Sequence, residues 1–147
     1  MPIAVMGLMT LAGLGITVQA AVNARLRVGV GSPALSALIS FLVGAVALLL
    51  FTLSGALGRG RLTDLGSLPW WAWTGGLFGA FYVCIAVVAV PRIGTALVIG
   101  CAVLGQLVAA LTLDTLGWFG VPRIALSAPR LLGAVLLLAG VLLMQRK

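Results

Sequence analysis

The stretch "TALVIGCAVLGQLVAALTLDTLGW", residues 95–118, carries one charged residue, Asp114, in a run of aliphatic and small side chains. A bilayer core about 30 Å thick is crossed by about 20 apolar residues rising 1.5 Å each, so this run is long enough to span it as a helix. Its polar residues are ordered. Ala102, Gln106, Ala110 and Asp114 recur at every fourth position and so share one helix face. A face that carries an amide and an acid belongs against neighbouring helices or a cavity, and the remainder of the helix can meet lipid.

The same reading extends outward along the chain. Of 147 residues, 63% are hydrophobic and 7% charged, with a mean hydropathy of +1.29, whereas a soluble domain is about 25% charged. Five runs qualify as spans: 3–24, stopping at Arg25 and Arg27; 32–57, opened by Ser32 and Pro33; 69–90, ending before Pro91 and Arg92; 95–118; and 129–145. Trp70, Trp71 and Trp73 stand where an aromatic belt belongs at the start of the third. The apolar core of the fifth, Leu131 to Met144, gives only about 21 Å of helix, so Pro129 and Arg130 must be drawn into it or the bilayer must thin. The expected fold is an all-α polytopic membrane protein: a bundle of about five transmembrane helices in a single domain, 1–147, with the lipid bilayer as its partner.

The first run ends in "VQA", which resembles a signal cleavage site, but no positive segment precedes it, and it reads as a retained span. Cys84 and Cys101 lie inside apolar runs and read as small packing residues. Ser32, Ser36, Ser40 and Gly44 stripe the second helix, and Gly75 and Gly79 form a small-xxx-small pair on the third. Such faces let helix backbones approach closely in lipid.

A net charge of +7 raises the question of nucleic acid, but the cations come singly or in pairs between apolar runs, with no basic patch. They read as membrane-edge anchors. With five crossings, Arg59, Arg61, Arg123 and Arg130 fall on one side, and Arg25, Arg27, Arg92, Arg146 and Lys147 on the other. Orientation follows an excess of Lys and Arg in cytoplasmic loops. This near-balance predicts insertion in both orientations and pairing of opposed copies. If the fifth run lay in the interface instead, the count would be six against three and one orientation would follow.

Histidine and glutamate are absent, and Lys147 is the single lysine. A Ser-His-Asp triad, a histidine metal site and a P-loop lysine are thereby excluded, and no enzyme or cofactor is expected. Gly13 and Gly15 are a fragment of a nucleotide-binding pattern inside an apolar run and read as packing residues. What remains is a polar inventory at membrane depth: Gln19 and Asn23 one turn apart, Ser36 and Ser40, Tyr82, Gln106 and Asp114. Polar groups there usually face a bundle interior or a substrate path. We take Gln19, Asn23, Ser40, Tyr82 and Gln106 as candidate substrate-binding residues, although helix capping would also account for Gln19 and Asn23, and packing for Tyr82. Asp114 is either a coupling acid or the structural partner of Arg123 or Arg130.

"QAAVNARL" at 19–26, "SPALSALISFLVGAVALLL" at 32–50, "PRIG" at 91–94, "GQLVAALTLDTLG" at 105–117 and "RLLGAVLLLAGVLL" at 130–143 together resemble the YdcZ family of the drug/metabolite transporter superfamily. The resemblance implies a bacterial inner-membrane, multi-pass location and transporter architecture. The superfamily's four-helix multidrug exporters carry a glutamate in the first helix, where this chain has Gln19 and Asn23. Its ten-helix members consist of inverted halves, and this chain resembles one half. The expected function is therefore secondary transport of a small molecule by an antiparallel dimer, or with a homologous half. The alternatives are a dual-topology small ion channel and an accessory membrane subunit with no transport of its own.

Overall fold

A computed structural model describes residues 2–56, 58 and 65–145. They form five helices: α1 (Pro2–Val30), α2 (Pro33–Ser54), α3 (Gly75–Ile93), α4 (Thr95–Leu116) and α5 (Ala128–Gln145). A short 3-10 turn, Trp70–Trp73, leads into α3. No strand occurs among the described residues. All five helices are long and apolar enough to cross a membrane. Arg59, Arg61, Arg146 and Lys147, on which the charge count between the two sides turns, lie outside the described residues, as does Leu57 at the expected end of the second span.

Helix ends follow capping chemistry more closely than charge. The 29-residue α1 is about 43 Å long and continues nearly two turns past the expected stop, because arginine is a good helix former. Its true stop is Gly31, whose φ of +73° suits a residue without Cβ. The Gly31 N–H donates to the Arg27 carbonyl at 2.8 Å. Ser32 then caps α2, its Oγ accepting from the Leu35 N–H at 3.3 Å, with Pro33 in the first turn where an N–H is not needed. Pro91 and Arg92 lie inside α3 and not beyond it. At the other end of the chain, α5 begins at Ala128 and takes in Pro129 and Arg130, reaching 18 residues or about 27 Å.

The chain divides into two compact units, Met1–Arg92 and Ile93–Lys147. In the first, α1 and α2 pack together beside the Gly31 link, with the inner face of α3 against them. The buried residues are small: Ala20, Asn23 and Ala24 from α1, Ser36 and Ala37 from α2, and Val83, Ala86 and Val87 from α3. From Ile3 to Ile16 and from Phe41 to Ser54, by contrast, every residue is exposed. Only a nonaqueous solvent or another chain can accommodate so much apolar surface.

The second unit pairs α4 with α5. Val98 and Gly100 are buried on α4 and Val141 on α5. A Cβ added at Gly100 would come within 2.9 Å of Met144 Cε and 3.2 Å of Val141 Cγ2, so this glycine sets the closeness of the pair.

Candidate functional site

Five threonine hydroxyls within the helices are satisfied on their own helix. Thr10, Thr17, Thr52, Thr112 and Thr115 each donate to the carbonyl four residues earlier, at 2.7–3.0 Å. That bonding is the usual refuge of a hydroxyl in lipid. The side chains without this refuge mark where the molecule's polar chemistry lies.

In the first unit they gather. Gln19, Asn23 and Arg27 are spaced four apart on α1 and form one stripe. The Gln19 amide donates through Nε2 to Ser40 Oγ on α2 at 3.3 Å. The Ser36 hydroxyl, wholly buried, donates to the Asn23 carbonyl at 2.7 Å and ties the first turns of α2 to α1. Across from the stripe, Tyr82 and Val83 of α3 close a crevice whose other walls include Ile16, Gln19, Asn23 and Val87. The crevice has no room for a water-sized molecule.

Asn23 is 3% exposed, and its Nδ2 donates to no acceptor among the described residues. An unpaired buried amide of this kind costs about 1–3 kcal/mol. Arg27 reaches the Val87 carbonyl of α3 through Nη1 at 3.5 Å. The stripe therefore presents two amides and a guanidinium toward α3, and no acid lies among the described residues of this unit.

Four of the six candidate residues, Gln19, Asn23, Ser40 and Tyr82, are thus brought together in one unit. Gln106 and Asp114 belong to the other. Gln106, midway along α4, is exposed and makes no hydrogen bond among the described residues. Asp114 is in an ion pair with Arg130 Nη2, with side-chain exposures of 20% and 30%. The link after α4 folds back on the same point: the Ile124 N–H donates to the Asp114 carbonyl at 2.8 Å, and Arg123 Nε to the Thr115 carbonyl at 2.9 Å. Between α4, this link and α5 lies an open groove of about 440 Å³, lined by residues such as Val108, Leu111, Leu116, Leu126 and Leu131.

Two residues were left out of the candidate site. Ser36 was read as part of a packing stripe and of the polar inventory but not as a candidate, and its hydroxyl is the buried tie between α1 and α2. Arg27 was assigned to the membrane edge; the signal that could have found it is its place in the four-residue series after Gln19 and Asn23.

Five apolar helices with internal polar clusters define a polytopic α-helical membrane protein. Within that class, a family described as "Putative inner membrane exporter, YdcZ" matches residues 4–143, and the chain belongs to this YdcZ family. The chain is similar to the inner membrane protein YdcZ of Escherichia coli (strain K12), at 33% identity over 92% of this chain and 91% of that one. No solved structure matches it.

Proposed function

We propose that this chain is one half of a secondary transporter of small molecules in the bacterial inner membrane, completed by a second copy in the opposite orientation or by a homologous half. Gln19, Asn23, Ser40 and Tyr82 line the solute path, and Gln106 on α4 contacts solute or the second copy. The activity is transport and not catalysis. The observation that carries this reading is the buried Asn23 amide, whose unpaired donor lies in a closed crevice within a span. In a packing interface such a donor has no use; in a carrier it meets a solute once the crevice opens. The exporter description of the family supports the same direction of thought.

The sequence holds no ATP-binding motif, so any energy for transport would come from an ion gradient. Asp114, engaged with Arg130, serves as a structural partner in this scheme. Opposed copies would supply the inverted halves that alternating access uses.

The test is solute flux into proteoliposomes, screened against metabolites and lipophilic cations. The wild type should move at least one solute saturably, and Asn23→Leu and Gln106→Leu should each abolish that flux at near-normal protein yield. Undiminished flux in both variants would return these amides to packing. Reporters fused to the C-terminus should signal from both sides of the membrane; strictly one orientation would leave only the partnership with a homologous half.

A further inference from the structure

Pro91, the first residue of "PRIG", lies inside α3. An α-helix passes the N–H of each residue to the carbonyl four residues earlier. Pro91 has no N–H, so the Val87 carbonyl is left without its ordinary donor. Val87 is 0% exposed, and a buried backbone carbonyl requires a partner.

The partner comes from another helix. Arg27 Nη1 donates to this carbonyl at 3.5 Å, the long end of hydrogen-bond range. Arg27 stands one turn beyond Asn23 on the same stripe, and Val87 is itself a wall of the crevice. A residue of α1 thus holds α3 at the one carbonyl that proline has released, directly beside the candidate site. A contact this long is readily made and broken.

We infer that Arg27 is a positioning residue: by donating to the carbonyl freed by Pro91, it keeps the Tyr82–Val87 face of α3 on the Gln19–Asn23 face of α1. Release of this bond lets α3 move off and opens the crevice. The inference rests on the reading of the crevice as the solute path. An arginine serving only as an edge anchor would reach lipid phosphate, and its contribution would not depend on Pro91.

The dependence on Pro91 is the test. Full-length protein, with Cys84 and Cys101 replaced by serine, carries spin labels at Val18→Cys and Ile85→Cys, both exposed positions of the first unit. Distance distributions are recorded in nanodiscs for four backgrounds: unaltered, Arg27→Met, Pro91→Ala, and both together. Arg27→Met should broaden the distribution and lower the unfolding temperature by a few degrees. Pro91→Ala restores a helical N–H to the Val87 carbonyl, so in that background Arg27→Met should change the width and the unfolding temperature by less than half as much. If Arg27→Met does not fold, Arg27→Lys replaces it in the same cycle; it keeps the charge, but its shorter side chain falls short of a carbonyl that arginine itself meets only at 3.5 Å, and it should show the same dependence on Pro91. Equal effects of the arginine substitution with and without Pro91, or no effect in either, would overturn the inference. None of these readouts uses a transported solute, so failure here and failure of the flux assay are distinguishable.

Discussion

Around the end of α4 polar side chains close on one another, whereas along the α1 stripe they stay partly open. Around the end of α4, Asp114 accepts from Arg130, its carbonyl accepts from Ile124, and Arg123 takes the Thr115 carbonyl, so one acid anchors a link and the start of α5. Among the described residues of this unit, the Arg130 Nη1 alone is left buried and unpaired. In the first unit the Gln19 amide makes one bond to Ser40, and the Asn23 Nδ2 makes none. Polar groups that satisfy each other hold a fold together. Polar groups kept unsatisfied inside apolar packing reduce stability, and their retention points to another use.

That contrast can be broken by substitution. The largest effect is expected at the closed cluster. Asp114→Asn removes the ionic partner of Arg130 and should lower stability by about 1–2 kcal/mol, an amount reduced from that of a fully buried pair by the partial exposure of both groups. Folded yield after detergent extraction should fall, and the pH dependence of any remaining transport should not change. Normal yield together with transport that no longer responds to pH would make Asp114 a proton carrier and dissolve the contrast.

A smaller effect is expected at Gly100. Leucine there must displace Met144 and Val141 and push α4 from α5, costing about 1 kcal/mol, the low end for overpacking because the flexible Met144 yields. Thermal unfolding of the purified variant reads it directly. Asn23→Leu should be smaller still: it removes an unpaired donor and keeps the branching of the side chain, the gain being offset by the bulk of two methyls, and unfolding free energy should move by less than about 1 kcal/mol while flux is lost. A loss of stability well beyond that would make Asn23 a structural tie like Ser36. Least affected should be Thr112→Val, whose hydroxyl bonds only to its own helix; a change within about 0.5 kcal/mol is expected in the same melt.

The helical residues were legible in the sequence wherever hydropathy alone decides, but the helix ends were not. Arg25 and Arg27 looked like a stop because cations are unwelcome in lipid, yet a helix can run on past the hydrocarbon, and a glycine of positive φ ended it. Pro91 looked like a boundary and lies within α3, where a guanidinium takes over the missing bond. The four-residue spacing of Gln19 and Asn23 was visible as a stripe, and its extension to Arg27 was equally visible but was read as an anchor.

By itself the sequence determined the solvent, the number of apolar helices and which residues share a helix face, because composition and a 3.6-residue period depend on nothing beyond the local chain; it did not determine what each face meets, and Gln106, expected against a neighbouring helix or a cavity, is exposed. It left open whether Asp114 would pair with Arg123 or Arg130, since both lie within the same link and first turn. Only the tertiary structure decided for Arg130, by bringing the start of α5 against the end of α4 and turning Arg123 to a backbone carbonyl. It alone also set Ser36 on the Asn23 carbonyl and left the Asn23 amide without a partner. Those outcomes depend on where separate helices meet, and hydrogen-bond partners across a helix interface are fixed by distances of a few tenths of an ångström that no local pattern encodes.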